Sequence, residues 1–225
     1  MSQSLRILDM PKRVAPRVIA EFAQMVTAHL SDSMDRLYAA GPLLRPMHQG
    51  GVLAGSAFTV KTAPGDNLLV HKAVDMAHPG DVIVVDAGGF ADYAIIGDLM
   101  ATRARQRGLA GLVIWGAIRD SGEIRAQTFP VYACAVTHRG PYKNGPGEIN
   151  VPIVMGGMPV HPGDIVVGDA DGVVAVPQSM AERVLASARA IRDKETVAIQ
   201  QIRAGTVDRS WVDQALKDKG YVLPA

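Results

Sequence analysis

One decapeptide occurs twice in this chain, and no other sequence feature limits the fold as tightly. His78-Pro79-Gly80-Asp81-Val82-Ile83-Val84-Val85-Asp86-Ala87 is matched by His161-Pro162-Gly163-Asp164-Ile165-Val166-Val167-Gly168-Asp169-Ala170, with seven of the ten pairs identical. Pro fixes φ and Gly accepts φ > 0, so Pro-Gly suits the centre of a type II turn. Each copy therefore predicts a tight turn feeding an apolar strand. His78 and His161 invite a metal reading, but turn chemistry accounts for the whole tetrapeptide.

Helical periods alternate with further strands around these copies. Val18, Ile19, Phe22, Met25, Val26 and Leu30 make a 3.6-residue stripe that predicts a helix over 16–38. A strand or hairpin is expected within 50–63, and Asp66 offers an N-cap to a helix reaching about Ala77. Residues 95–107 read as a helix closed by Gly108, with buried strands expected at 112–115 and 131–136. Asp169-Ala170-Asp171-Gly172 signals a hairpin. Ser179 and Glu182 form a capping box for a long helix over about 179–204, ended by Gly205, and a short helix is expected at 210–219. Strands and helices alternating at this spacing predict an α/β layered fold. Gly and Pro are spread along the chain rather than pooled, so a single domain over 1–225 with helical N- and C-terminal segments is expected.

Charge excludes some functions. With 23 Lys+Arg against 22 Asp+Glu, the chain lacks the basic excess of a nucleic-acid binder. No run is long and apolar enough to predict a spanning helix or a membrane partner. The N-terminus lacks a signal-peptide pattern, which gives a cytoplasmic expectation. A lone Cys134 cannot build a Cys-based zinc site, and the six histidines form no His-x-x-x-His pair. No Gly-x-Ser-x-Gly elbow or Walker loop is present. Gly88-Gly89 follows a strand but lacks a dinucleotide fingerprint.

Three features can carry chemistry. Gly97-Asp98-Leu99-Met100 heads the 95–107 helix, where first-turn N–H groups attract an anion such as a carboxylate; equally, Asp98 could simply complement the helix dipole. Arg119-Asp120 follows the 112–115 strand, and carboxyl ends of strands are where ligands bind in α/β sheets. There a carboxylate can hold a hard cation and a guanidinium can meet an oxyanion, unless Asp120 only caps a turn and Arg119 is solvated. The third is Glu195, a carboxylate on the apolar stripe of Val184, Ala188, Ile191, Ala198 and Ile202. It either pairs with Arg192 or reaches something that needs a negative charge.

Together these residues resemble the RraA-like family. The resemblance runs through Gly97-Asp98-Leu99-Met100, Gly111-Leu112-Val113-Ile114, Gly116-Ala117-Ile118-Arg119-Asp120, Pro162-Gly163-Asp164 and Gly168-Asp169-Ala170-Asp171-Gly172-Val173-Val174, and it spans roughly 22–195. That family includes class II 4-hydroxy-4-methyl-2-oxoglutarate / 4-carboxy-4-hydroxy-2-oxoadipate aldolases and regulators of ribonuclease E activity. The resemblance implies a β/β/α swivelling-type domain assembled as homotrimers or homohexamers, with active sites between subunits. It implies Mg²⁺ or Mn²⁺ at Asp120, Arg119 on the substrate, Gly97, Asp98, Leu99 and Met100 around a pyruvyl group, and Glu195 supplied by a neighbouring subunit. Trp115-Gly116 stands where members often have Asp-Gly.

The expected function is metal-dependent retro-aldol cleavage of a 4-hydroxy-2-oxo acid, with oxaloacetate decarboxylation through the same enolate and Asp98 in the proton transfers. A Schiff-base aldolase would need a desolvated lysine, with Lys61 and Lys72 the nominal candidates. The non-catalytic alternative is a regulator that binds a ribonuclease E type enzyme.

Overall fold

The computed structural model describes residues 5–222 and 224. In chain order the elements are α1 (Pro16–Phe22), α2 (Thr27–Asp32), β1 (Arg45–Pro46), β2 (Leu53–Thr62), α3 (Leu68–Met76), β3 (Asp81–Asp86), β4 (Ala94–Ile96), α4 (Asp98–Gln106) and β5 (Gly111–Ile118). They continue with α5 (Ser121–Arg125), β6 (Val131–Val136), β7 (Gly147–Ile149), β8 (Ile153–Met155), β9 (Met158–Val160), β10 (Ile165–Asp169), β11 (Gly172–Val176), α6 (Ala181–Ala204) and α7 (Ser210–Asp218).

The main sheet runs β1-β6-β5-β3-β2-β10-β11, with β4 on β5 and β7 on β2. Strands β2, β3, β5 and β6 are mutually parallel, and β4 runs parallel to β5. A parallel sheet must be covered on both faces, which is why these strands are continuous apolar runs. Ile83, Val85, Leu112 and Ile114 face α3 and α4, while Val82, Val84 and Val113 face the β8–β9 hairpin. These are helix, sheet and hairpin layers, the β/β/α α/β architecture expected. Helices α1 and α2 and the start of α6 pack a third apolar cluster on β10 and β11. The sheet curls until its end strands approach, and Arg45 at β1 donates to the Asp171 carbonyl beside β11 at 3.2 Å.

Both copies of the decapeptide form the expected turn. Asp81 N–H donates to the His78 carbonyl at 3.0 Å and Asp164 N–H to that of His161 at 3.1 Å, with Gly80 and Gly163 at φ +85° and +89°. In each, the buried aspartate accepts from the histidine N–H, both at 2.8 Å. The copies differ in charge balance. Arg13 forks onto Asp81 at 2.9 Å on both oxygens, whereas burial pushes the Asp164 carboxyl above its ordinary range.

Several boundaries differ from the sequence expectation. The 16–38 helix is two short helices, and the second is capped from a distance: Asp169 accepts from Thr27 N–H at 2.8 Å and Thr27 Oγ1 at 2.7 Å. Ile95 and Ile96 belong to β4, so the following helix starts at Asp98. A 3₁₀ turn over Gln178–Met180 holds Ser179, so the long helix starts at Ala181 rather than at a capping box. Its C-terminal end at Ala204, with Gly205 at φ +67°, is as expected.

The chain divides into two compact units, 1–188 and 189–225. The second contains Glu195, and its Val197, Ile199, Ile202 and Trp211 are exposed. Among the described residues, no helix is long and apolar enough to cross a membrane.

Candidate active site

Parallel strands β4 and β5 end side by side, with Ile96 opposite Ile118. The residues that follow each strand are therefore neighbours: Gly97-Asp98 at the start of α4, and Arg119-Asp120. Arg119 N–H donates to the Ile96 carbonyl at 3.0 Å. Asp120 then takes a left-handed conformation, φ +53° and ψ +40°, a region that Asp tolerates better than most residues. It precedes α5 without capping it. Its side chain turns to α4 instead, where Oδ2 accepts the Asp98 N–H at 3.1 Å, with Arg119 Nε 3.7 Å away. A first-turn N–H at a helix N-terminus favours such a carboxylate.

Glycine at position 97 leaves the space that the Asp120 and Arg119 side chains occupy. A Cβ there would collide with Asp120 Oδ2 and lie 2.9 Å from Arg119 Cγ. These residues border a cleft of about 330 Å³ together with Leu99, Met100, Asn67, His71 and Lys143. Leu99 is 79% exposed at its edge. Arg119 and Lys143 give the cleft two cations, and burial together with Lys143 and Arg103 holds the His71 pKa below the ordinary histidine range.

Asp98 is oriented otherwise than its neighbours. Its Oδ1 accepts from Gln127 Nε2 at 2.8 Å, so the residue contributes its N–H beside Asp120 while its carboxylate is held by Gln127. Glu195 lies in the second unit and is exposed; Arg192, three residues before it, forks onto Asp193 at 3.0 and 3.1 Å. Lys61 and Lys72 are exposed, which removes the desolvation that a Schiff-base lysine needs. Trp115 does not border the cleft. It packs with the core on the hairpin side of the sheet, where a Cβ at Gly156 would lie 2.7 Å from its ring.

Sequence reasoning missed Asn67, His71 and Lys143. Asn67 is buried, with Nδ2 donating to the Ile95 carbonyl at 2.9 Å and Oδ1 without a hydrogen-bond partner. Helical spacing could have paired Asn67 with His71 four residues on, but nothing local links either to Lys143.

Two larger hollows lie elsewhere. One, about 490 Å³, is bordered by Arg6 and Glu148, which neutralise each other at 2.6 Å. The other, about 470 Å³, surrounds the second decapeptide turn at His161 and Asp164. Neither joins a carboxylate, a guanidinium and a helix N-terminus as the smaller cleft does.

These features define a β/β/α protein whose cleft, at the carboxyl ends of parallel strands, suits a small anionic ligand. The chain belongs to the RraA-like family: the family model described as RraA-like, Aldolase/RraA, matches residues 27–175. It is 43% identical over 171 residues, covering 76% of this chain and 81% of the relative, to a Halalkalibacterium halodurans protein named "Putative 4-hydroxy-4-methyl-2-oxoglutarate aldolase". An uncharacterized protein from Pseudomonas syringae has a similar structure (TM-score 0.78, 30% identity, 88% of this chain and 97% of that one). So does the RNA-processing inhibitor RraA from Thermus thermophilus (TM-score 0.62, 34% identity, 67% and 92%).

Proposed function

We propose that the cleft is the active site of a divalent-metal-dependent lyase. Its substrate is a 4-hydroxy-2-oxo acid of the 4-hydroxy-4-methyl-2-oxoglutarate type, cleaved to pyruvate and a second oxo acid. The observation that carries this reading is the junction of Arg119, Asp120 and the Asp98 N–H at the ends of β4 and β5. The names of the relatives support the aldolase class.

Among the described residues no three His, Cys, Asp or Glu side chains gather, so the cleft offers one carboxylate, which is compatible with a hard cation that takes its other ligands from water and substrate. Mg²⁺ and Mn²⁺ prefer oxygen ligands, and Mg²⁺ commonly takes one or two carboxylates plus water and substrate. Asp120 supplies one such carboxylate at the cleft. Lewis-acid polarisation of the 2-keto oxygen would come from Mg²⁺ or Mn²⁺ held there.

The chain's own residues account for the rest. Arg119 meets the substrate's developing enolate oxygen, and Gly97, Leu99 and Met100 surround the pyruvyl part. Loss of the 4-hydroxyl proton lets the C3–C4 bond break. Its electrons form the pyruvate enolate and C4 becomes a carbonyl; protonation at C3 then gives pyruvate. Asp98 is the proposed proton-transfer residue, acting through an intervening water because Gln127 holds its carboxylate. Oxaloacetate loses CO₂ to reach the same enolate. Lys143 and Arg119 suit a substrate with more than one carboxylate. In a homotrimer or homohexamer, Glu195 of a neighbouring subunit would complete the site.

The test is pyruvate release from 4-hydroxy-4-methyl-2-oxoglutarate and from oxaloacetate, with Mg²⁺ or with EDTA. Activity that needs the metal supports the reading, and equal activity in EDTA overturns its metal part. No turnover of either substrate, together with binding to a ribonuclease E type enzyme, would favour the regulatory alternative, which the likeness to RraA supports weakly.

A further inference from the structure

Cleft residues on α3 and on the loop after β6 come from segments about 75 residues apart in sequence, and one buried carboxylate ties the two together. Asp66 is 3% exposed. Its Oδ1 accepts the Leu68 N–H at 2.9 Å, which starts α3 and so sets the helix that carries His71. Its Oδ2 accepts the N–H groups of Asn144 at 2.5 Å and Gly145 at 3.0 Å. Two backbone bonds extend the clamp: Tyr142 N–H to the Gly65 carbonyl at 2.8 Å, and Asn67 N–H to the Tyr142 carbonyl at 3.0 Å. Lys143 is thus held between two fixed neighbours. At its other end the loop is tied to β4, with Ala94 N–H donating to the Arg139 carbonyl at 2.9 Å, and it passes Arg119 at Gly140, where a Cβ would lie 3.1 Å from Nη1.

We infer that Asp66 is a positioning residue whose two carboxylate oxygens fix the 139–145 loop against the start of α3, holding Lys143 in a preformed cleft that Arg119 and His71 also line. Hydrogen bonds to an ionised acceptor are the strong ones, and a carboxylate can serve donors on two sides at once. A neutral amide offers one acceptor oxygen, so one side must open. The Asp66 carboxylate touches no substrate, so it acts on binding rather than on bond cleavage. The inference rests on the cleft being the 2-oxo acid site proposed above.

Hydrogen exchange on the unaltered protein comes first: the Asn144 and Gly145 amides should exchange at least 100-fold more slowly than an open loop. In Asp66→Asn, exchange over the 139–145 loop should rise at least 10-fold. KM for oxaloacetate with Mg²⁺ should rise at least 10-fold while kcat stays within about threefold. Asp169→Asn is the control, a carboxylate that likewise binds backbone N–H groups but lies away from the cleft; it should lower Tm and leave KM unchanged. Open-loop exchange of the Asn144 and Gly145 amides in the unaltered protein would overturn the inference even if Asp66→Asn failed to fold. So would unchanged loop exchange in Asp66→Asn, a fall confined to kcat, or an equal KM rise in Asp169→Asn. An unaltered protein inactive on every 2-oxo acid would instead overturn the proposed function, and the exchange measurements would still decide the clamp.

Discussion

The Asp98 N–H and the Asp120 carboxylate, 22 residues apart in sequence, meet at 3.1 Å because β4 and β5 run parallel and end together. This contact joins the first turn of a helix to the proposed metal ligand and leaves Arg119 beside both. Asp120→Asn keeps an oxygen to accept the Asp98 N–H and suits the left-handed backbone, but it removes the charge. It should lose at least 100-fold in metal-dependent turnover with its stability within about 0.5 kcal/mol of the unaltered protein. Asp120→Ala should lose as much activity and about 1 kcal/mol of stability besides, from the left-handed φ. Steady-state kinetics with Mg²⁺ and denaturant melts measure the two effects separately, and full activity in either variant would remove Asp120 from the site.

Arg119→Lys should not restore what Arg119→Ala loses. Lysine keeps the charge but not the planar two-point geometry toward an enolate or carboxylate. Each variant should lose about 2–4 kcal/mol of transition-state stabilisation, the scale of one oxyanion donor. Near-normal kcat/KM in the lysine variant would reduce Arg119 to a local charge.

Gly97→Ala tests the packing of the site alone. Backbone φ is −142°, which any residue adopts, so the added methyl acts only through its collision with Asp120 and Arg119. Turnover should fall at least 10-fold while the circular dichroism spectrum is retained and Tm falls by only a few degrees. An active alanine variant would mean that the two side chains can move aside without cost to catalysis.

The two decapeptide aspartates should respond oppositely to neutralisation. Asp81→Asn breaks the fork from Arg13 and should cost about 2 kcal/mol at pH 7. Asp164 is buried with a raised pKa, so the folded chain holds its proton more tightly than the unfolded chain does. Its stabilising effect is full below the unfolded carboxylate range and is lost as pH rises through the folded value. Asp164→Asn should therefore match or exceed the parent in stability at pH 7, with the difference shrinking toward pH 4. Urea melts at both pH values check the sign, and equal destabilisation by both variants would refute it.

Glu195 tests the shared site. Inactive Asp120→Ala and Glu195→Ala proteins, unfolded together and reassembled, should regain a fraction of the original activity if the two residues act from different subunits. Confirmed subunit exchange without recovery would put both in one subunit, and a fully active Glu195→Ala would remove the residue from catalysis.

The sequence by itself determined what depends on near neighbours. Pro79-Gly80 and Pro162-Gly163 predicted their turns because φ preferences are local, and unbroken apolar runs such as 82–85 and 112–115 predicted strands covered on both faces. The Arg119-Asp120 step was legible because both residues follow one strand. Tertiary structure decided everything that needed contact across the chain. The helix at Leu68 starts with Asp66 one residue farther out than a local N-cap, in a turn also clamped to residues 142–145. Ile95 and Ile96 form strand rather than helix because β5 offers a parallel edge. Asp98 points its carboxylate at Gln127, and Lys143 joins the cleft through a clamp from Asp66, contacts that no local pattern encodes. Turn and strand signals come from the dihedral and hydrophobic preferences of adjacent residues, whereas an active site is assembled from segments that only the packed sheet brings together.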